Sequence, residues 1–132
     1  MMNLSDLKFT STHEWVRVEK GTIVVGITDY IQGLLPRITN VELPEPDENH
    51  HYEAGEDVSV IESLRNTYDF KAPVSGIIVE VNYNLLSNPE LINEDPYGEG
   101  WIIRMKPDNM KDVNKLLDLY TYEDNLPEEE EE

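Results

Sequence analysis

The stretch from residue 58 to residue 76 reads VSVIESLRNTYDFKAPVSG and dominates the prediction of the fold. It holds two strand-like runs, 58–64 and 67–72, with a polar turn predicted at Arg65 and Asn66. Apolar and polar residues alternate along the first run, which is the period of a half-buried strand. Ser75-Gly76 then marks a turn before another apolar run. The stretch therefore predicts a β-hairpin whose exposed tip offers its side chains to a partner.

The rest of the chain predicts further short strands and few helices. Strands are predicted at 13–19, 22–27, 38–43, 77–81 and 101–105. A short helix is predicted to begin at Thr28-Asp29, and one helical turn is predicted at 89–93. Pro107 to Asn109 predict the cap of a terminal helix that ends near Leu119, with Met110, Val113, Leu116 and Leu117 on one face. Because no βαβ alternation is present, this order indicates an antiparallel, mainly β domain with short helices.

Length and composition narrow the class of protein further. The chain has 132 residues and no cysteine, so we predict a single domain at 1–126 without disulfides, thiolate nucleophiles or cysteine metal ligands. No apolar run is long enough to cross a bilayer, and residues 1–10 lack the apolar core of a signal peptide. We therefore predict a cytoplasmic protein.

The charge of the chain is strongly negative. Its 28 Asp and Glu outnumber 10 Lys and Arg, for a formal net charge of -18. Residues 127–132 are predicted to be a disordered acidic tail, and removing the five terminal glutamates still leaves -13. Such a surface repels nucleic-acid phosphates and anionic lipids, and it favours partners with basic faces. The alternative is that the charge only maintains solubility.

A search for catalytic or metal-binding groups finds no convincing set. The only histidines are His13, His50 and His51, and the adjacent pair would point apart on extended backbone, which argues against a zinc site. His13 beside Glu14 could act as a base, but a histidine bonded to its surroundings at a strand entry is more common. Glu62 and Ser63 would need a histidine nearby for nucleophilic catalysis. No phosphate-binding glycine motif or nucleophile elbow occurs, so the chain does not look like an enzyme.

The hairpin stretch also resembles a known family, the glycine cleavage system H proteins. The resemblance covers roughly residues 7–122 and rests on these segments: THEW at 12–15, VGIT at 25–28, VELP at 41–44, IESL at 61–64, Asp69, APVSG at 72–76, EVN at 80–82, LIN at 91–93, Pro96-Tyr97 and GWI at 100–102. It implies a barrel-sandwich hybrid of the lipoyl/biotinyl-carrier type with a C-terminal helix packed against it. It also implies a carrier that shuttles the aminomethyl intermediate of glycine decarboxylation on a lipoyl-lysine arm.

One residue departs from the family at its central position. The resemblance places the lipoyl lysine at Arg65. A guanidinium stays charged and delocalised at physiological pH, so it is not an acyl acceptor. Lys71 is the nearest lysine, but it lies about 16 Å along the strand from the predicted turn, and Lys20 is in a different turn. We therefore expect no lipoyl group on this chain.

The resemblance also implies positions for the arm. Glu62 and Ser63 belong to the hairpin tip, while Thr12, Glu14 and Asp69 correspond to the cleft that shelters the loaded arm. On the residues alone, Thr12, Glu14 and Asp69 could equally be ordinary strand residues. Arg65 could pair with Asp69 or Glu62, stand in solvent, or be buried in the cleft near Glu14.

Three interpretations of Arg65 remain open from the sequence. The one we favour is a natural, non-loading paralogue that is expected to be a monomer and to bind glycine cleavage or lipoyl-handling enzymes through its acidic surface. We favour it because Asn66, Thr67 and Tyr68 also depart from the small residues expected after the lysine. The alternatives are a true carrier whose lysine was substituted, and a divergent protein-binding module.

Overall fold

Residues 3–127 are described by a computed structural model, and they form two antiparallel sheets with short helices between the strands and after the last one. The strands are β1 (Lys8–Phe9), β2 (Glu14–Glu19), β3 (Thr22–Ile27), β4 (Ile38–Val41), β5 (His51–Tyr52), β6 (Asp57–Ser63), β7 (Thr67–Lys71), β8 (Gly76–Val81) and β9 (Ile103–Pro107). The helices are α1 (Asp29–Gly33), α2 (Asn84–Ser87), α3 (Leu91–Glu94), α4 (Lys111–Asn114) and α5 (Leu119–Asp124), and a 3-10 turn at Leu4–Asp6 precedes β1.

The strand order confirms the predicted mainly β, antiparallel class. One sheet has six strands in the order β1-β2-β3-β9-β8-β5, and the other has three in the order β4-β6-β7. The apolar residues of both sheets share one core, which includes Ile23 and Ile27 of β3, Ile61 of β6, Phe70 of β7 and Ile103 of β9. The three-stranded sheet therefore carries the hairpin on the same core as the rest of the molecule.

The hairpin turns one residue earlier than predicted. Ser63 N–H donates to the carbonyl of Asn66 at 2.8 Å, so Leu64 and Arg65, rather than Arg65 and Asn66, occupy the turn. The Ser63 hydroxyl accepts from the backbone N–H of Asn66 at 3.0 Å, and the Asn66 amide donates to the carbonyl of Leu34 at 2.8 Å. These side-chain contacts fix Asn66 at the start of the return strand.

The shifted turn changes which residues face each other across the hairpin. Glu62 lies opposite Thr67, and Asp69 lies opposite Val60. A turn at Arg65 and Asn66 would have placed the carboxylates of Glu62 and Asp69 directly opposite each other, and the observed register contradicts that prediction. No repulsion between that pair needs to be relieved by Arg65.

The single terminal helix predicted after Pro107 is also wrong. Residues 111–124 contain two helices, α4 and α5, and Leu117 lies between them in a β-bridge with Phe9. Each of these two residues donates its backbone N–H to the other's carbonyl at 2.8 Å. Asp118 then caps α5 by accepting from the N–H of Thr121. The bridge removes Leu117 from the helical pattern that the apolar spacing suggested.

Most other predicted elements are present, with shifted ends. The helix start at Thr28-Asp29 is confirmed, and the Thr28 hydroxyl accepts from the N–H of Ile31. The first long strand begins at Glu14 rather than His13, because His13 has a left-handed φ of 76°. The strand predicted at 101–105 begins at Ile103, and α2 is a helix that the sequence did not predict.

Two sequence predictions are not tested by this fold. The predicted acidic tail lies almost wholly outside the described residues, and the cytoplasmic location stays a prediction. None of the helices in the described part of the chain has the length and apolarity to cross a bilayer.

Candidate functional site

The hairpin tip presents Arg65 to solvent. The residue is exposed, and its side chain makes no hydrogen bond or ion pair with any residue of the described range 3–127. Its backbone N–H donates to the Ser63 hydroxyl at 3.3 Å. This hydrogen bond fixes the backbone of the turn and leaves the guanidinium in solvent. Of the three arrangements considered for Arg65, the exposed one is observed.

The other tip residues have structural roles in the hairpin. Ser63 uses its hydroxyl to close the turn, since that hydroxyl also donates to the carbonyl of Asn66 at 3.0 Å. Glu62 is half-buried, and its backbone carbonyl accepts from the hydroxyl of Thr39 at 3.3 Å. Asp69 is exposed on β7. The structure therefore brings neither Glu62 nor Asp69 into an ion pair with Arg65.

Glu14 lies at the centre of a buried hydrogen-bond cluster, with no exposed surface. One carboxylate oxygen, Oε1, accepts from the hydroxyls of Thr10 and Thr12, each at 2.5 Å. The other, Oε2, contacts the Tyr68 hydroxyl and accepts from the N–H of Lys71 at 3.3 Å. Both oxygens of Glu14 are thus engaged by groups of this chain.

The cluster contains no cation to balance the charge of Glu14. Burial raises the pKa of the Glu14 carboxyl, although the hydrogen bonds from Thr10, Thr12, Tyr68 and the Lys71 backbone oppose that shift. The Tyr68 hydroxyl also contacts the carbonyl of Thr12. Its single proton has two acceptors, which ties β7 to the turn before β2.

Tyr68 is the residue that sequence reasoning did not identify as part of this site. Burial and the neighbouring Glu14 raise the pKa of its phenol far above the ordinary value, so it stays protonated. The pair Tyr68 and Glu14 is separated by 54 positions in the chain. The available hint was that a large residue stands where the resemblance predicts a small one.

Each of the three histidines contacts a different side chain. His13 Nδ1 is 2.9 Å from the Tyr122 hydroxyl, which in turn lies 2.7 Å from the Thr28 hydroxyl. His51 Nε2 lies 2.6 Å from an Asp108 oxygen, and the ring of His50 stacks on Tyr52. Residues 3–127 contain no group of three or more histidine or acidic side chains arranged to hold a metal ion.

The contact between His13 and Tyr122 is partly buried. Burial lowers the pKa of His13 and raises the pKa of Tyr122 to about 12. A phenol with that pKa remains protonated at neutral pH. The pair therefore serves to join α5 to the turn before β2.

The residues at the tip do not fit a lipoyl group. Attachment needs an amine that can lose a proton and attack an activated acyl carbon, and Arg65 offers a delocalised cation instead. Lys71 pairs with Asp57 on the body of the hairpin, away from the tip. Position 65, where the resemblance implies the lipoyl lysine, is thus exposed at the turn, and its guanidinium is not an acyl acceptor.

Replacing Arg65 by alanine is expected to change the free energy of unfolding by less than about 0.5 kcal/mol, because the exposed guanidinium has no observed partner. Arg104→Ala is the matched control, since Arg104 bonds Glu80 at 3.0 Å and Glu19 at 3.1 Å. We expect the control to lose about 1 kcal/mol. Urea unfolding of both variants beside the parent chain measures the difference. A loss of several kcal/mol in Arg65→Ala would place the guanidinium in the Glu14 cluster instead.

Comparison with known proteins gives one consistent result. The family model described as Glycine cleavage H-protein matches residues 7–129. Glycine cleavage system H protein of Acinetobacter baylyi is 48% identical over 126 residues, covering 96% of this chain and all of that protein. The Thermus thermophilus protein of the same name is 50% identical over 124 residues, covering 94% of this chain and 95% of that protein.

The fold has a counterpart among solved structures. The crystal structure of a glycine cleavage system H protein from Mycobacterium marinum superposes with a TM-score of 0.79 and 33% sequence identity. It covers 92% of this chain and 98% of that one. The likeness extends over nearly the whole molecule, in agreement with the barrel-sandwich hybrid expected from the sequence.

Proposed function

We propose that this chain, which belongs to the glycine cleavage H-protein family, works without a lipoyl arm and binds the enzymes of that system or those that handle lipoyl groups. H proteins are carriers without catalytic activity of their own, and they interact with the glycine cleavage enzymes. The observation that carries the proposal is Arg65 at the exposed turn of the hairpin. The acceptor position is offered to partners, but its side chain cannot form the amide.

The Glu14 cluster supports the same proposal from a second position. The resemblance implies that a loaded arm places its nitrogen beside Glu14. In this chain the Tyr68 phenol and the Lys71 N–H engage one oxygen of Glu14, while two threonine hydroxyls engage the other. An arm would have to displace Tyr68 to reach the carboxylate. Neither position 65 nor the surroundings of Glu14 therefore suit a lipoyl arm.

The acidic body supports a role in binding. With a formal net charge of -18 on 132 residues, long-range attraction to a basic docking face speeds encounter and weakens as salt rises. A chain that keeps the H-protein fold and lacks the arm would occupy a docking face without loading it. It would act there as a competitor or scaffold.

The mass of the purified chain tests the absence of the arm. Expressed in a lipoylating host, the chain is expected to show only its unmodified intact mass, because Arg65 cannot accept the acyl group. An H protein with the lipoyl lysine, produced in the same host, is the positive control. A lipoylated peptide spanning Lys71, or any other lysine, would contradict the proposal and favour a true carrier.

Binding to purified glycine cleavage enzymes and to a lipoate ligase tests the second half of the proposal. Affinity for at least one of them is expected to fall as salt rises from low to physiological concentration. Deleting residues 128–132 should change that affinity little, since the body remains acidic. If none of these enzymes binds, the interpretation as a divergent protein-binding module is favoured instead.

A further inference from the structure

The hairpin tip rests on the loop that joins α1 to β4, residues 34–37. The side-chain amide of Asn66 donates to the carbonyl of Leu34 at 2.8 Å. On the other side of the turn, the backbone N–H of Leu64 donates to the carbonyl of Pro36 at 3.4 Å. Because the tip is bonded to the loop at two points, the position of the loop sets the position of the tip.

The backbone of this loop has an unfavourable conformation. Arg37 has a left-handed φ of 52°, which a residue with a side chain adopts at an energetic cost and keeps where its surroundings hold it. Its neighbours Leu35 and Ile38 are buried in the core. A contact that bridges these two neighbours would therefore hold the loop closed.

The side chain of Asn93, in α3, makes that contact. Its Nδ2 donates to the carbonyl of Leu35 at 2.9 Å, and its Oδ1 accepts from the N–H of Ile38 at 2.9 Å. Nδ2 also donates to the side-chain oxygen of Gln32 at 3.1 Å. One amide thus uses its acceptor and both of its N–H groups on the two ends of the loop.

The chain contains a second asparagine with the same kind of bonding. Asn82 is buried, and its Nδ2 donates to the carbonyls of Glu99 and Trp101, each at 2.8 Å. Its Oδ1 accepts from the N–H of Asn84 at 3.2 Å. These partners belong neither to the tip nor to the loop 34–37, so Asn82 is a matched control for Asn93.

We propose that Asn93 is a positioning residue for the hairpin tip and acts through the loop 34–37. It fixes the loop, and the loop in turn fixes Leu64 and Asn66 on either side of Arg65. The inference goes beyond the proposed function, since it needs neither the missing arm nor a bound enzyme. A tip that is held in one orientation costs less to order when a partner docks.

Amide NMR of Asn93→Asp tests the proposal. The variant keeps an acceptor for Ile38 but has no N–H, so its carboxylate faces the carbonyl of Leu35 where a hydrogen bond was. We expect the backbone amide signal of Leu64 and the side-chain amide signals of Asn66 to move, although both residues bond to the loop and not to Asn93.

The control variant Asn82→Asp loses the same donors and should leave the signals of Leu64 and Asn66 in place. Unmoved signals in Asn93→Asp, or equal movement in the control, would overturn the proposal.

Limited trypsin digestion measures how firmly the tip is held, because trypsin cleaves after arginine. The ratio of first cleavage after Arg65 to first cleavage after Arg17, a residue of β2, is expected to rise at least about fivefold in Asn93→Asp, since the tip opens more often. Asn82→Asp should keep that ratio within about twofold of the parent chain. An equal rise in both variants would show that Asn93 contributes only to overall stability.

Asn66→Ala approaches the same contact from the exposed end and keeps the proposal testable if Asn93→Asp does not fold. Asn66 is exposed, so this variant is expected to fold, and the side-chain amide signals of Asn93 should move as the loop loses its bond to the tip. In the double variant, cleavage after Arg65 should stay within about twofold of the larger single effect, because both changes release one contact. Unmoved Asn93 signals in Asn66→Ala, or single effects that multiply, would contradict the proposal.

Discussion

Tyr68→Ala is expected to lower the free energy of unfolding by about 3 kcal/mol. The ring of Tyr68 packs against the core shared by the two sheets, and its truncation leaves a cavity. The same change removes the hydroxyl that contacts Glu14 and the carbonyl of Thr12. A buried carboxylate then loses one of its hydrogen bonds, which adds to the loss. Equilibrium unfolding in urea measures the total.

Two further variants separate the contributions of the ring and the hydroxyl. Tyr68→Phe keeps the ring and is expected to lose about 1–2 kcal/mol. Combined with Glu14→Gln in a double-mutant cycle, it should show a coupling free energy, because the two side chains are in contact. Tyr120→Ala is the matched control, since Tyr120 is 79% exposed, and it should change stability by less than about 0.5 kcal/mol. If Tyr68→Ala were as mild as this control, the cluster would contribute nothing to stability.

Local pattern was enough to predict much of the sheet. The β-branched run at 22–27 is β3, and the apolar run at 77–81 lies within β8. Both strands flank β9 in the six-stranded sheet, so burial reinforces what the residue types favour. The resemblance supplied what pattern could not, namely that the two sheets share one core.

The failures have a common physical cause, which is contact between residues distant in sequence. Apolar spacing after Pro107 indicated one helix, but pairing with Phe9 draws Leu117 into a bridge. The turn at Leu64 and Arg65 depends partly on the amide of Asn66 reaching the carbonyl of Leu34. Neither contact leaves a periodic pattern in the residues around it.

The candidate site shows the same limit. The inability of Arg65 to accept an acyl group could be predicted from the sequence, because it is a property of the guanidinium and does not depend on neighbouring residues. Glu14 was identified only through the resemblance, and its saturation by Tyr68 required the fold. Residue type thus indicated that Arg65 is not an acyl acceptor, while the structure was needed to find the contact between Tyr68 and Glu14.

Arg65→Lys is expected to convert a chain that gains no lipoyl group into one that is mostly modified in a lipoylating host. The turn that presents position 65 is closed by Ser63 and Asn66, and neither contact uses the guanidinium. A lysine at position 65 would be exposed at the same turn, and its amine could form the amide. Intact mass measures the modified fraction. Arg65→Lys combined with Lys71→Arg should keep the modification, whereas Lys71→Arg alone should show none. If Arg65→Lys stays unmodified even with a lipoate ligase co-expressed, the expectation is wrong. Replacing Asn66, Thr67 and Tyr68 by small residues in that variant would then show whether these three side chains block the ligase.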